Sequence, residues 1–192
     1  MSELPVGFKK YQQVAADASP WTRSEQMRML LWDICWAGLC RWTPKPLNRW
    51  RLFWLKAFGC RMFGRPFVHQ HAIVRKPWNL TLHDKACLGD GANAYTLGEI
   101  VIGERATVAQ EVYLCTGTHD FSDEIIPLMT AKITVEEDAF IGARAFIMPG
   151  VTIRAGAVIG AASVVTKDMP PWTICAGNPC KPIKPRIATK EK

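Results

Sequence analysis

Residues 135–165 read VEEDAF-IGARAF-IMPGVT-IRAGAV-IGAASV-V, and an aliphatic side chain returns at every sixth position: Val135, Ile141, Ile147, Ile153, Ile159 and Val165. The fifth place of four of these hexads is small, at Ala139, Ala145, Ala157 and Ser163. A period of six fits neither the 3.6-residue repeat of a helix nor the two-residue alternation of a strand. It fits a triangular coil in which each hexad supplies one side of a prism, so that about eighteen residues complete a turn. The aliphatic side chain then points into a narrow core, where stacked copies bury one another. The small residue sits at a tight corner where a bulky side chain would collide. Parallel strands stack at roughly 4.8 Å, so like side chains form continuous ladders.

Working outward, the same six-residue spacing appears upstream at Ile102, Val108 and Leu114, and again at Leu82 and Leu88. It fails from Asp120 to about Lys132 and then resumes. An interruption in an otherwise regular solenoid is where binding groups are placed. Before the repeats the pattern is helical. Thr22 followed by Glu25 predicts a capping box, with Leu30, Ile34 and Trp36 continuing a helix to about Arg41. Pro44 and Pro46 break it. A second helix is expected from about Leu47, with Trp50, Trp54 and Phe58 on one face, stopping at Gly59. The expected organisation is an N-terminal helical segment over 1–60, a β-helical domain over 61–187 and a solvated tail at 188–192.

The 192-residue chain is 48% hydrophobic and 21% charged, which suits a globular domain rather than a disordered one. Its net charge of +7 is unevenly placed: residues 1–80 carry 13 Lys/Arg against 4 Asp/Glu, and residues 81–192 carry 11 against 13. No acidic residue lies between Asp33 and Asp84, whereas nine basic ones lie from Arg41 to Lys76. Six of the eight tryptophans fall within residues 1–60. Rings interleaved with cations suit a peripheral contact with a membrane surface better than DNA, so no nucleic-acid partner is expected. The bland reading of the same aromatics, packing of a helical hairpin on the second half, is the favoured one. The run from Met29 to Trp42 is interrupted by Asp33 and Arg41 and is too short to span a bilayer.

Seven cysteines without a C-x-x-C pair, and 25 polar N-terminal residues without an apolar core, point to a reducing cytoplasm. Cys35 and Cys40 read as packing residues, and Cys115 as core rather than nucleophile. His69 and His71 form an H-x-H pair that could suggest zinc. No third ligand is evident in the sequence, and no metal is expected.

The hexads at Ile141, Ile147 and Ile159, with the chain end Val165-Thr-Lys-Asp-Met-Pro-Pro-Trp and Ala176-Gly-Asn-Pro-Cys-Lys, resemble the hexapeptide-repeat acyltransferases. Pro77-Trp-Asn-Leu, Cys115-Thr-Gly-Thr-His-Asp-Phe and Pro171-Trp-Thr-Ile-Cys-Ala-Gly-Asn-Pro narrow the resemblance to the colanic acid biosynthesis acetyltransferases of exopolysaccharide assembly. It covers roughly residues 58–187. It implies a mainly β fold, a left-handed parallel β-helix with an N-terminal helical segment; periodicity alone does not give the hand, which opposes the usual crossover rule. It also implies acetyl-CoA as co-substrate, a homotrimer with each site between two subunits, and a sugar or lipid-linked oligosaccharide acceptor. Departures from the pattern are His83 where Gly is usual, Ala94 where a larger aliphatic is expected, and Thr96 after Tyr95 where Asn is favoured.

The candidate base is His119, which ends a hexad where the repeat stops. Attack of an alcohol on a thioester needs the hydroxyl proton removed, and an imidazole suits that task. The resemblance places the family's catalytic histidine beside such a loop. Tyr95, Thr96 and Asp120 are the candidate acceptor contacts. Asp120 is a poor orienter of its chain neighbour, because adjacent residues on an extended segment point apart; structuring the loop suits it better, and a backbone carbonyl could orient the imidazole instead. No Ser or Cys nucleophile with a nearby base is evident, which favours direct transfer in a ternary complex. A backbone N–H at a turn such as Gly142-Ala143 would serve the oxyanion. The resemblance places the coenzyme's pantetheine arm beside Ala143, Ala161 and Thr166, and Lys167, Lys181 and Lys184 would meet its phosphates. Three other readings stand beside this one: transfer to another small hydroxyl acceptor, a zinc hydratase of the same fold, whose three-histidine set four scattered histidines do not supply, and a scaffold without chemistry.

Overall fold

The six-residue rhythm becomes a three-sided, left-handed parallel coil in the computed structural model, which describes residues 7–13, 15 and 18–187. Residues 188–192, expected to be a solvated tail, lie outside the described residues. The first face stacks Arg61–Met62, Leu80–Leu82, Ile100–Ile102, Ile133–Val135 and Thr152–Ile153 in parallel. The second stacks Phe67–Val68, Cys87–Leu88, Thr107–Val108, Phe140–Ile141 and Val158–Ile159, and ends in a hairpin of Thr173–Gly177 and Cys180–Pro185. The third stacks Ile73–Val74, Asn93–Tyr95, Tyr113–Cys115, Phe146–Ile147 and Val164–Val165.

Register puts the expected aliphatics directly above one another. Leu82, Ile102, Val135 and Ile153 form one ladder. Leu88, Val108, Ile141 and Ile159 form the second, and Ala94, Leu114, Ile147 and Val165 the third. Every one of these side chains is fully buried. Truncating one of the larger ones to Ala should cost about 2–5 kcal/mol, since a column three side chains wide cannot collapse around a hole. Ala94 fits its place between Val74 and Leu114, and His83 stacks on Phe63 at 4.9 Å.

Turn length departs from the expected eighteen. One turn takes eighteen residues from Ile141 to Ile159, but twenty from Leu88 to Val108 and thirty-three from Val108 to Ile141. The extra residues all sit at one corner, between the third and first faces, as Lys76–Asn79, Thr96–Glu99 and Thr116–Lys132. The other two corners stay tight. There a residue with left-handed backbone, such as Glu111 (φ 56°) or Arg144 (φ 60°), turns the chain. Its N–H donates to the carbonyl one rung below, as from Glu111 to Asp90 and from Arg144 to Gln110, both at 2.9 Å.

Ahead of the coil lie helix α1 (Arg23–Cys35), a π-helical turn over Trp36–Cys40 and helix α2 (Asn48–Ala57). Thr22 caps α1 in the expected box with Glu25. Met29, Trp32 and Cys35 face the coil, while Leu30 and Ile34 of the helical pattern are 52% and 61% exposed. Two indole N–H groups decide this. Trp32 donates to the Val74 carbonyl at 2.6 Å and Trp36 to that of Ala72 at 3.1 Å, which ties their side of the helical segment to the coil. In α2, Trp54 and Phe58 pack on the core, but Trp50 is largely exposed. Cys35 and Cys40 are buried packing groups, and burial pushes the Cys40 thiol up to about 12. Two members of the basic block are not surface charges. The Arg51 guanidinium is buried and donates to the carbonyls of Val68, Pro44 and Lys45 and to the Thr43 hydroxyl. Lys76 is buried against the Trp21 ring, with Glu25 at 3.4 Å.

Candidate active site

The corner between the third and first faces is rebuilt by side chains because its longer segments cannot follow the backbone ladder. Thr96 is wholly buried, and its hydroxyl accepts from the Lys76 N–H at 2.7 Å. Thr116, one turn above, accepts from the Gly98 N–H at 2.8 Å and donates to the Tyr95 carbonyl at 2.5 Å. Asn79 donates to the carbonyls of Thr96 and Leu97 from below. These struts satisfy backbone groups that a tight corner would pair directly.

On this base the longest insertion rises as a strand, Gly117–His119, paired antiparallel with Leu128–Ala131. His119 is exposed at its end, and its Nδ1 lies 2.8 Å from the Ile126 carbonyl. A carbonyl only accepts, so Nδ1 carries the proton and Nε2 keeps its lone pair. That is the tautomer a general base requires. Ile126 adopts φ 50°, a left-handed conformation that is uncommon for a β-branched residue, and this backbone turn aims its carbonyl at the ring.

Asp120 points elsewhere. Its carboxylate accepts from Lys10 at 2.7 Å and from both the N–H and the hydroxyl of Ser122. Lys10 and Ser122 hold that carboxyl down at about 2. Tyr95 is half-buried, and its ring packs within 3.5 Å of where a Cβ on Gly117 would stand, at the foot of the His119 strand. The neighbouring Cys115 is half-buried, its thiol donates to the Gly117 carbonyl, and burial pushes it up, against a resting thiolate. A cleft of about 740 Å³ opens beside the loop, between Lys10, Tyr11 and Gln13 on one side and Asp123, Ile125 and Pro127 on the other.

The coenzyme candidates fall into two groups. Ala143 and Ala161 stack on the tight corner between the second and third faces, and Lys181 follows above them in the terminal hairpin, opposite Ala176. Thr166 and Lys167 lie at the open corner, two turns above the His119 insertion, and Lys184 lies further along the hairpin, opposite Ile174. Close stacking at the tight corner is enforced by Gly142, where a Cβ would meet Ala161 N and Ile159 O at 2.7 Å. The Gly142 N–H is committed to the Ile159 carbonyl, so among the described residues the Ala143 N–H is the uncommitted one of that pair.

His69 and His71 gain a third group that sequence spacing did not show. Asp90, one turn on, places a carboxylate oxygen 3.0 Å from each Nδ1. Burial pushes the His69 ring down from its usual value, and the Asp90 carboxylate beside it opposes that shift. The three groups form a hydrogen-bonded corner, in which the His71 N–H donates to His69 Nδ1 and the His71 ring pairs with Asp90. Sequence reasoning also missed Ile126, Lys10, Asn79 and Thr116. The off-phase spacing around Thr96 and Thr116 carried a trace of the struts, whereas nothing in the sequence links Lys10 or Ile126 to His119.

Comparison with known proteins agrees with this architecture. The family model for the hexapeptide repeat of succinyl-transferase matches residues 132–167. The chain is 38% identical over 164 residues to the colanic acid biosynthesis acetyltransferase WcaF of Escherichia coli K12, covering 85% of this chain and 90% of the relative. Its fold is similar to that of a maltose O-acetyltransferase from Clostridium difficile 630 (TM-score 0.74, 24% identity, 87% of this chain and 90% of that one). It is also similar to a hexapeptide-repeat acetyltransferase from Vibrio cholerae O1 biovar eltor complexed with acetyl coenzyme A (TM-score 0.77, 18% identity, 89% and 93%). Repeat, coil and relatives converge: the chain belongs to the hexapeptide-repeat acetyltransferase family.

Proposed function

We propose that this acetyltransferase moves an acetyl group from acetyl-CoA to a sugar hydroxyl in the assembly of a colanic acid-like exopolysaccharide, with His119 Nε2 as general base. The carrying observation is the hydrogen bond from His119 Nδ1 to the Ile126 carbonyl, which fixes the tautomer and leaves Nε2 free. The base takes the hydroxyl proton as the alkoxide oxygen attacks the thioester carbonyl; collapse of the tetrahedral adduct then expels the coenzyme thiolate. Both substrates are bound together, because Cys115 is held as a thiol and offers no acyl carrier. The acetyl-CoA complex of the Vibrio cholerae neighbour and the sugar named for the Clostridium difficile one support donor and acceptor class, and the WcaF relative supports the exopolysaccharide setting. Tyr95 is the acceptor contact best placed beside His119. Ala143, Ala161 and Thr166 bed the pantetheine arm and Lys167, Lys181 and Lys184 meet the phosphates, in a homotrimer that brings the two corners of adjacent copies together.

No helix among the described residues is long and apolar enough to cross a membrane. The outward face of α1 nonetheless shows Met27, Leu30, Leu31 and Ile34, each more than half exposed, followed by Trp42 at 70%. With the surrounding Arg and Lys, this face supports a peripheral contact with anionic lipid, where a lipid-linked acceptor resides. Acetyl-CoA turnover against free sugars, nucleotide sugars and lipid-linked oligosaccharides tests the function. Thiol release that depends on a sugar acceptor is expected, and no release with any of them overturns it. Co-sedimentation with anionic vesicles that survives deletion of residues 1–60 would remove the helices from the membrane reading.

A further inference from the structure

The turn that aims the Ile126 carbonyl at His119 is held partly by its own residues and partly by the N-terminal strand. Its backbone is closed by Asp120 N–H to Pro127 O at 3.0 Å, Ile126 N–H to Asp123 O at 3.0 Å and a long bond from Asp123 N–H to Asp120 O at 3.4 Å. The Asp120 and Asp123 carboxylates each also accept from a residue two further on, Ser122 and Ile125. Ile126 sits in a conformation its side chain resists. Asp120 and Asp123 also place two carboxylates on one side of the turn, where they repel. What joins them comes from the far end of the sequence. The N-terminal strand Phe8–Lys10 pairs antiparallel with Leu128–Ala131, and Lys10 Nζ reaches Asp120 at 2.7 Å and Asp123 at 2.9 Å. Among the described residues it is the one cation bonded to either carboxylate. Tyr11 N–H donates to the Leu128 carbonyl at 2.9 Å, and the Gln13 side chain accepts from Leu128 N–H at 2.6 Å, so residues 8–13 close the free edge of the His119 hairpin.

We infer that the N-terminal strand is a working part of the catalytic corner, with Lys10 as a positioning residue that holds the Asp120–Ile126 turn and, through it, the His119 imidazole. This rests on the reading of His119 as the base. Lys10 touches neither the imidazole nor the reacting atoms; it ties the two carboxylates that bracket the turn, so the Ile126 carbonyl stays where Nδ1 needs it. An imidazole free to rotate would populate the wrong tautomer and lose alignment with the acceptor hydroxyl.

Lys10→Met and Lys10→Arg in the full chain test it, with amide exchange over residues 120–127 and steady-state kinetics measured on each. Lys10→Met should exchange there about tenfold faster and lose about tenfold in kcat, while KM for acetyl-CoA stays within about twofold; Lys10→Arg should restore both. Should Lys10→Met fail to fold, Asp123→Asn, which cuts one of the two bridges, is read in the same way with smaller changes. Wild-type exchange in the Lys10→Met protein overturns the clamp. Faster exchange with unchanged kcat overturns its role in positioning, and lost kcat with unchanged exchange reassigns Lys10 to substrate contact. His119→Ala run in parallel keeps the two ideas apart: retained transfer there sinks the base while leaving the exchange result to judge the clamp.

Discussion

Two corners of one prism are turned by the same chain in different ways. Between the second and third faces the chain turns on two residues, and left-handed Glu111, Arg144 and Ala162 hand their N–H groups down a ladder of carbonyls. Between the third and first faces the corresponding segments are longer, and Asn79, Thr96 and Thr116 replace that ladder with side-chain bonds. The tight corner offers a regular edge of small residues, suited to an extended ligand. The open corner offers an imidazole with a fixed tautomer. A fold that is nearly one-dimensional can thus keep stability and chemistry on separate edges, because each rung contacts only its neighbours.

The contrast breaks most sharply if the open corner is closed. Removing residues 117–131 would leave five residues between Leu114 and the next first-face core position, Val135, as there are between Ile147 and Ile153. The shortened chain should fold and melt cooperatively, yet show no acetyl transfer above background; retained transfer would detach the insertion from the chemistry. Crowding the tight corner should do the reverse. Gly142→Val drives a Cβ into the next rung, where 2.7 Å separates it from Ala161 N, and should cost about 3 kcal/mol in a urea titration. A loss under about 1 kcal/mol would mean that the rungs can part there.

Thr116→Val keeps the volume but removes two bonds of the open corner, to Gly98 and Tyr95. A loss of about 1–3 kcal/mol is expected, with a larger fall in kcat than in coenzyme affinity. The smallest effect expected is none. Asp120 titrates at about 2 rather than its ordinary 3.8, so whatever the Lys10 bridge contributes is present above pH 3.8 and lost only as pH falls through about 2. Amide exchange over residues 120–127, corrected for intrinsic rates, should therefore match at pH 7 and pH 5. A difference would show that the carboxylates are not tied as described.

Most of the coil was legible in the sequence because its determinants are local and repeated. An aliphatic at each sixth place and a small residue just after each tight turn fix both rung and register, and the position of His119 was marked by the end of the repeat. Two things were hidden. The twenty-residue turns were concealed because Lys76–Asn79 and Thr96–Glu99 each insert two residues without disturbing the ladders on either side. The buried face of α1 was not legible, because Leu30 and Ile34 are apolar like Trp32; the indole N–H groups, bonded to carbonyls on the coil, distinguish the faces. Lys10 and Ile126 had no sequence signal, since one acts across more than a hundred residues and the other through its main chain.

The central proposal is a division of labour in which His119, at the open corner, acts as the base and other residues hold the donor. Acetyl-CoA affinity and single-turnover acetyl transfer, measured on the same preparation of His119→Ala, address it most directly. The account predicts wild-type affinity with transfer reduced by about 10²–10⁴-fold. Transfer at the wild-type rate, or coenzyme binding lost along with it, would contradict that division.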